Sequence, residues 1–300
     1  MLYLRNKPEK NYTDTFFSLD TIVSLRMSED IIDQTKEKIK SFDNIFDMYS
    51  ENSELYRLNH DKTLDCSSPL TDIISKSVRL NSIYGRRLDI SSGNLSALWN
   101  QATQTSVLPD KSEIEKSLLH ISTDNIYINE NHITLENDIS IDLGSVAKGY
   151  VLDAVYPSVK EKEPEYAFVS LGSSTLLYSN DPQYRFNVII KSGNDSQAGT
   201  VVTGPCFLST SGDYERYAEI DGIKYHHIID LKTGFPAENG LSSVTVFCDS
   251  GLLSDFLSTT IFIEGKENLQ KHLTADRYKI VATDTEGNVF KSESLDFHKS

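Results

Sequence analysis

One polar hairpin constrains this sequence more than any other feature. Residues 209–216 and 225–234 flank Asp221 and Gly222, a pair that strongly favours a two-residue turn between antiparallel strands. We therefore expect the two segments to pair. They carry Asp, Arg, two His and a Thr-Gly pair, and burying such groups costs free energy unless each is paired. A functional site explains this composition better than a core does, although a polar edge hairpin in water would show the same spacing.

Charge and cysteine content narrow the class of protein. The formal net charge of −15 over 300 residues argues against non-specific binding of nucleic acid, which requires a basic surface. We therefore expect no nucleic-acid partner. Cys66, Cys206 and Cys248 are scattered and lack C-x-x-C spacing, so they indicate thiols rather than a disulfide framework or a zinc site.

The pattern of apolar residues predicts the fold class. Apolar residues recur at helical spacing over 30–47, and strand-like segments predict hairpins at 125–135 and 278–290. Mixed helices and antiparallel hairpins indicate an α+β fold with mixed, largely antiparallel sheets and flanking helices. We expect an N-terminal extension over 1–15 and one domain, single or two-lobed, over 16–300.

A second informative stretch covers residues 139–153. A strand is expected to end at Asp142, the chain to turn at Gly144, and a helix to begin near Val146. Backbone N–H groups at a helix start, with Lys148 in its first turn, form a candidate anion cradle. The Walker A and dinucleotide-binding glycine patterns are both absent here. A plain strand-to-helix turn with a surface lysine is the alternative.

The expected helix over 251–263 carries Asp255 and Thr259 four residues apart, and therefore on one face. Most of its other residues are apolar. A carboxylate in such surroundings needs a partner, and a divalent cation with Thr259 as a second oxygen ligand would serve. The alternative is that Asp255 caps a helix or forms a local ion pair.

Short motifs follow one another along nearly the whole chain. They are Phe17-Ser18-Leu19-Asp20-Thr21, Tyr49-Ser50-Glu51-Asn52-Ser53-Glu54-Leu55, Leu88-Asp89-Ile90-Ser91-Ser92-Gly93 with Leu98-Trp99, Asp142-Leu143-Gly144-Ser145-Val146-Ala147-Lys148-Gly149-Tyr150, Thr210-Ser211-Gly212-Asp213-Tyr214-Glu215-Arg216, His227-Ile228-Ile229-Asp230 with Thr233-Gly234, and Ser254-Asp255 with Thr259. In this order they resemble the ApbE family of FAD:protein FMN transferases. The last three motifs are the most specific, and the resemblance implies an ApbE-like fold.

The resemblance also implies a reaction. FAD is split at its pyrophosphate, AMP leaves, and FMN is joined to a Thr or Ser hydroxyl of an acceptor, a redox or electron-transport flavoprotein. By the same resemblance, Asp255, Thr259 and the carbonyl of Ser145 would hold Mg²⁺. His227 would handle the acceptor proton or orient the phosphate, with Asp255 as a competing base. His226, on the other face of the strand, would be a bystander.

Family positions for FAD binding carry over one residue at a time. They place Leu19 and Tyr49 against the flavin, Ser91, Ser92 and Gly93 at the turn near the adenosine or the ring, and Asp142, Lys148 and Ile229 elsewhere along FAD. The chain departs from the family at residues 170–174, where Ser-Leu-Gly-Ser-Ser replaces the common Asn-Leu-Gly-Gly-Asn. This change can alter how the substrate is positioned.

Two other functions would use the same residues. One is an Mg²⁺-dependent FAD pyrophosphatase, in which water replaces the acceptor hydroxyl. The other is a protein that binds FAD without turnover. Since no apolar run has the length of a membrane helix and the first eleven residues contain no export signal, we expect a soluble, cytoplasmic protein as the sequence is written. Family resemblance instead implies the outer face of the cytoplasmic membrane if a signal has been trimmed.

Overall fold

A computed structural model describes residues 3–4, by their backbone alone, and residues 10–193 and 196–300. Its helices are α1 Ile32–Lys40, α2 Asp43–Phe46, α3 Glu54–Asp61, α4 Ser68–Tyr84, α5 Gly93–Thr105, α6 Lys111–Leu118, α7 Ala147–Glu161, α8 Gly251–Glu264 and α9 Leu269–Leu273. Its strands are β1 Tyr3–Leu4, β2 Tyr12–Ser18, β3 Thr21–Met27, β4 Thr63–Asp65, β5 Ile126–Asn129, β6 His132–Leu135, β7 Ala167–Leu171, β8 Ser174–Tyr178, β9 Phe186–Lys191, β10 Gln197–Thr203, β11 Cys206–Gly212, β12 Tyr217–Ile220, β13 Ile223–His226, β14 Ile229–Asp230, β15 Phe235–Pro236, β16 Leu241–Cys248, β17 Lys279–Asp284, β18 Val289–Lys291 and β19 Asp296–Lys299. None of the helices in these described ranges is both long enough and apolar enough to cross a membrane.

The described residues form two compact units. Unit 1 lies within 1–42, 146–212 and 239–300, and unit 2 lies within 43–145 and 213–238. Antiparallel sheets with helices packed on them confirm the α+β class predicted from the sequence. Part of the expected extension over 1–15 falls outside the described residues, and β2 begins at Tyr12. The division into an extension and one domain stays a prediction.

Unit 1 is built on an eight-stranded antiparallel sheet in the order β18-β17-β16-β11-β8-β7-β3-β2. Helices α7 and α8 pack on one face of its central strands. The other face shares an apolar cluster with the four-stranded sheet β1-β9-β10-β19, through residues such as Leu208, Phe247 and Val188. Strand β16 is buried at all its positions because it is covered on both faces. The central strands and α8 therefore form the most enclosed part of this unit.

Unit 2 contains α2–α6 and three small antiparallel sheets. Asp221 and Gly222 join β12 to β13 with φ values of 52° and 77°, as a two-residue hairpin turn requires. Trp99 of α5 stacks on Tyr225 of this hairpin at 5.7 Å and donates its indole N–H to the carbonyl of Gly234 at 2.8 Å. The polar hairpin is thus anchored on α5 through one aromatic residue.

Four local predictions need correction. No strand ends at Asp142, since Ser140 forms only an isolated bridge to Ser92. The strand that carries His226 ends at that residue, so His227 does not lie on its other face. The hairpin at Asp221 is confirmed, but residues 209–212 do not pair with 225–234. They belong to β11 and pair with β16 in the large sheet of unit 1, because their small side chains fit beneath α8. The helix expected over 30–47 ends at Lys40 and resumes as α2 at Asp43, so it is two helices.

Candidate functional site

Helix α8 places Asp255 and Thr259 one turn apart in unit 1, as predicted. The helix begins at Gly251 because the carboxylate of Asp153 accepts hydrogen bonds from the N–H groups of Gly251 and Leu252, at 2.6 and 3.0 Å. Every residue from Gly251 to Ile263 except Thr259 is buried. The two polar side chains are therefore carried on a helix that packing holds in place.

Asp255 is 5% exposed and has a hydrogen-bond donor on each carboxylate oxygen. The backbone N–H of Gly149 donates to Oδ2 at 2.6 Å, and the hydroxyl of Ser174 donates to Oδ1 at 2.5 Å. Gly149 is the third residue of α7, whose first N–H groups lack partners within the helix and favour an anion. Asp255 thus has local partners, and each oxygen can still accept a further contact.

The approach of α7 to α8 explains why residue 149 is a glycine. A Cβ added there would lie 2.0 Å from the carbonyl oxygen of Gly251, which is closer than atoms can approach. Without that close contact, the N–H of Gly149 would not reach the Asp255 carboxylate. The small residue is therefore part of the carboxylate's environment.

Hydroxyl pairs join α8 to strand β11. Ser211 lies 3.0 Å from Thr259 and 2.9 Å from Ser258, oxygen to oxygen, and Ser209 lies 2.8 Å from Ser254. Among the described residues, no group of three or more His, Cys, Asp or Glu side chains could hold a metal ion. A cation here would be bound by one carboxylate with neutral oxygens, a set that suits Mg²⁺.

In unit 2, the Ser91–Gly93 turn and Asp142 lie side by side. The N–H of Gly93 donates to the carbonyl of Ser140 at 2.8 Å, and the N–H of Asp142 donates to the carbonyl of Ile90 at 2.8 Å. A Cβ on Gly93 would lie 2.7 Å from that Ser140 oxygen, so the two backbones can approach only at a glycine. We call these two segments, residues 90–93 and 140–142, the backbone platform.

The side chains of the platform differ in accessibility. Ser91 is 2% exposed, and its hydroxyl donates inward to the carboxylate of Asp89 at 2.6 Å. Ser92 is half-buried, and Gly93 is buried. Asp142 is half-buried, and its Oδ1 accepts a hydrogen bond from the N–H of Gly144 at 2.8 Å. Any contact of Ser91 with a ligand would therefore use its backbone rather than its hydroxyl.

The neighbouring histidines have different environments. His226 accepts a hydrogen bond at Nδ1 from the N–H of Ile228, and its Nε2 contacts the carbonyl of Ala237, both at 3.2 Å. Burial lowers the pKa of the His226 imidazole, because the charged form loses its hydration. His227 is exposed, and its Nδ1 lies 3.0 Å from the carbonyl oxygen of Arg216. Since a carbonyl only accepts, Nδ1 of His227 carries the proton, and Nε2 is the acceptor in the neutral ring.

The other expected contact residues lie at turns and helix starts. Leu19 is in the turn between β2 and β3 with a φ of 49°, an uncommon conformation for a bulky residue. Lys148 is the second residue of α7 and half-buried. In unit 2, Tyr49 is 51% exposed, while Ser145 and Ile229 are half-buried. Thus Leu19, Lys148, Asp255 and Thr259 lie in unit 1, and the remaining expected site residues lie in unit 2.

Sequence reasoning missed the residues that support this site. Ser174 and Gly149 contact Asp255 from positions 81 and 106 residues away. In the sequence, Ser174 is only a departure from the family pattern, and no local signal links it to Asp255. The sequence carries a local signal for the contact between Asp89 and Ser91, because an Asp often accepts a hydrogen bond from the N–H of the residue two positions later.

Comparisons with known proteins identify the family of this chain. The profile of the ApbE family matches residues 19–282. A protein of Escherichia coli strain K12, named FAD:protein FMN transferase, is 26% identical over 289 residues, which are 90% of this chain and 81% of the relative. A protein of the same name from Vibrio cholerae is 29% identical over 231 residues, which are 73% of this chain and 69% of the relative.

Solved structures show the same fold. The crystal structure of the ApbE protein from Thermotoga maritima superimposes with a TM-score of 0.87 at 25% identity, covering 95% of this chain and 98% of that one. The flavin transferase ApbE from Vibrio cholerae superimposes with a TM-score of 0.82 at 22% identity, covering 96% and 98%. With the profile spanning most of its length, the chain belongs to the ApbE family.

Proposed function

We propose that this protein transfers the FMN part of FAD to a Thr or Ser hydroxyl of an acceptor protein, in an Mg²⁺-dependent reaction that releases AMP. The acceptor oxygen forms a bond to the phosphorus of the FMN phosphate. The bond from that phosphorus to the bridging oxygen of the pyrophosphate breaks, and AMP leaves with the bridging oxygen. The acceptor proton passes to a base of the protein.

Family membership is the observation that carries this proposal. The chain is an enzyme of the flavin-transferase type, because the family profile spans residues 19–282 and several curated relatives are named FAD:protein FMN transferase. Transfer between phosphate esters asks a protein mainly to position the reactants and to neutralise charge. The Thr or Ser acceptor, the release of AMP and the metal belong to the proposal.

The side-chain oxygen atoms of Asp255 and Thr259 in unit 1 suit a role in holding Mg²⁺, and family resemblance adds the Ser145 carbonyl of unit 2. We assign Asp255, Thr259 and the carbonyl of Ser145 to this role. The ion would polarise the pyrophosphate and stabilise the charge on the leaving AMP. Ser174 and the N–H of Gly149 orient the Asp255 carboxylate, because each donates to a different oxygen of it.

His227 is the base that we propose for the acceptor proton. Its Nδ1 proton is directed at the carbonyl of Arg216, so the neutral ring accepts a proton at Nε2. This hydrogen bond also fixes the ring's orientation. Asp255 is the competing candidate, but a base role would compete with its role as a metal ligand.

Family resemblance supplies the residues that we propose to contact FAD. We propose flavin contacts for Leu19 and Tyr49. The platform residues Ser91, Ser92 and Gly93 would contact the adenosine or the ring. Further contacts along FAD are assigned to Asp142, Lys148 and Ile229.

A mass-spectrometric assay tests the proposal. The protein is incubated with FAD, Mg²⁺ and a redox domain that carries a Thr- or Ser-containing acceptor motif. We expect release of AMP together with an FMN mass on the acceptor, and we expect His227→Ala to abolish the adduct. His226→Asn is the matched control, since it keeps an acceptor for the Ile228 N–H. It should still form the adduct at pH 7.5.

Each other outcome would overturn the proposal. AMP and free FMN without an adduct would identify an FAD pyrophosphatase. Intact FAD, recovered with and without Mg²⁺, would identify a binding protein. A full adduct yield from His227→Ala would remove His227 from the mechanism while leaving the transferase activity in place.

A further inference from the structure

Asp89 is a buried carboxylate without an assigned role in the reaction. It is 4% exposed and accepts four hydrogen bonds. Its Oδ1 accepts from the N–H and the hydroxyl of Ser91, at 2.9 and 2.6 Å. Its Oδ2 accepts from Nδ2 of Asn81 at 2.9 Å and from the N–H of Thr123 at 3.1 Å. All four donors are neutral, so their geometry must offset the cost of burying the charge.

These contacts hold the turn that leads into the backbone platform. The carbonyl of Asp89 also accepts a hydrogen bond from the N–H of Ser92 at 3.2 Å. Both the side chain and the backbone of Asp89 therefore contact the first residues of the turn. Asn81 lies on α4 and Thr123 begins a short 3₁₀ helix, Thr123–Asn125, so the turn is tied to two separate elements.

The second segment of the platform is held by Asn59 of α3. Its Nδ2 donates to the carbonyl of Ile141 at 2.8 Å, and its Oδ1 accepts from the N–H of Ile141 at 2.7 Å. One side-chain amide thus pairs with both backbone groups of Ile141, as a neighbouring strand would. Two hydrogen bonds, from Gly93 to Ser140 and from Asp142 to Ile90, join this segment to the turn.

We propose that Asp89 is a positioning residue for FAD binding, with Asn59 as its counterpart on the second segment. This inference rests on the proposed function, in which the platform contacts FAD. Asp89 does not touch the ligand in this proposal. It fixes the backbone of residues 91–93 before FAD arrives, so that binding does not have to order a mobile turn.

Asp89→Asn keeps the shape of the side chain but removes the carboxylate's charge and one of its two acceptor oxygens. An amide has one accepting oxygen, whereas Asp89 presents two. Whichever way the amide is turned, its NH₂ group faces a backbone N–H, either that of Ser91 or that of Thr123. The hydroxyl of Ser91 and the amide of Asn81 can rotate to accept, but a backbone N–H cannot. One backbone donor therefore loses its partner, and the turn is loosened.

Asp284→Asn is a matched control in unit 1. Asp284 is 2% exposed and also accepts four hydrogen bonds. Two come from the backbone N–H groups of Glu286 and Asn288, one from Nδ2 of Asn288 and one from Nζ of Lys266. Asp284→Asn also removes a buried carboxylate at a tight turn outside the platform. Because Asp284 is paired with Lys266, its substitution should disturb the local structure at least as much as Asp89→Asn does.

The experiment measures two quantities in the full-length protein. FAD affinity is taken from the change in flavin fluorescence, without acceptor. Hydrogen exchange of the amides of 91–93 and 140–142 is measured without FAD. We expect Asp89→Asn to weaken FAD binding about tenfold and to speed exchange across the platform. Asp284→Asn should leave both within about twofold of the wild-type values.

The outcomes separate this inference from the proposed function. Equal FAD affinity and platform exchange in the two variants would overturn the positioning role. Failure of the wild-type protein to bind FAD would overturn the proposed function, while the exchange comparison would still test the platform. If circular dichroism shows that Asp89→Asn is unfolded, the same two measurements are made on Asn59→Ala and decide the question. Unchanged exchange and affinity in that variant would overturn the inference.

Discussion

The two units differ in which atoms their proposed sites would offer to a ligand. In unit 1, the expected metal ligands Asp255 and Thr259 present side-chain oxygens from a buried helix, which hydroxyl pairs and Gly149 hold against its neighbours. In unit 2, the platform presents backbone held by Asp89 and Asn59. A side-chain site depends on the identity of a few residues, whereas a backbone site depends on whatever fixes its conformation. The two parts should therefore respond to different substitutions.

Asp255→Asn should have the largest effect on activity. Its amide can keep the Gly149 N–H as a donor, and the Ser174 hydroxyl can rotate to accept, so the fold should be retained. Loss of the charge should lower kcat by about 10³-fold if Asp255 holds the metal or acts as the base. The measurement is initial-rate kinetics of adduct formation.

Asp153→Asn is the control for that substitution. It removes a carboxylate that contacts backbone N–H groups at the start of α8, outside the proposed chemistry. Its kcat should stay within about threefold of the wild-type value at temperatures well below Tm. If Asp255→Asn retained the wild-type kcat, the side-chain site of unit 1 would be a structural feature only.

Gly149→Ala tests whether the packing of α7 on α8 is needed for unit 1. The added methyl would lie 2.0 Å from the Gly251 carbonyl oxygen, so the helices must separate. We expect the free energy of unfolding to fall by about 3 kcal/mol, measured by urea denaturation. Gly204→Ala is the control, because its Cβ would meet nothing closer than Arg185 at 3.6 Å. Equal stability of the two variants would contradict this role of Gly149.

Substitution of His226 in unit 2 should give the smallest of these effects. The quantity that changes is the dependence of stability on pH. Burial lowers the folded-state pKa of His226 below the ordinary value of 6.5, although the hydrogen bond to the Ala237 carbonyl and the charges of Asp213 and Glu238 oppose the shift. As pH falls, the unfolded chain therefore binds a proton before the folded one does. The stability that neutral His226 contributes is full above about pH 6.5 and is lost as pH falls through this value toward the folded-state pKa.

Melting temperatures at pH 7.5 and 5.5 measure this loss. We expect His226→Asn to show an acid-induced drop in Tm that is smaller than the wild-type drop by the order of a few degrees. His120→Asn removes an exposed histidine of unit 2 and should keep the wild-type drop. An identical drop in wild type and His226→Asn would refute the assignment of His226 as a half-buried, neutral ring.

Local patterns predicted a large part of this fold. Asp221 and Gly222 specify their turn because both adopt positive φ values, which other residues reach only at a cost. Helix α8 follows from a continuous apolar run, and α7 begins one residue after the predicted start at Val146. The order of the motifs predicted the ApbE family, which the family profile confirms. The roles assigned to individual site residues stay predictions.

Tertiary structure decided what surrounds those residues. The sequence by itself determined that Asp255 and Thr259 share a helix face, but the strand predicted to carry both His226 and His227 ends at His226. Only packing brought Ser174 and Gly149 to Asp255, across 81 and 106 residues, and only packing distinguished the half-buried His226 from the exposed His227. The physical reason is the separation along the chain over which each kind of interaction acts. Turn and helix preferences depend on neighbours along the chain, whereas the partners of a buried polar group depend on which distant elements fold against it.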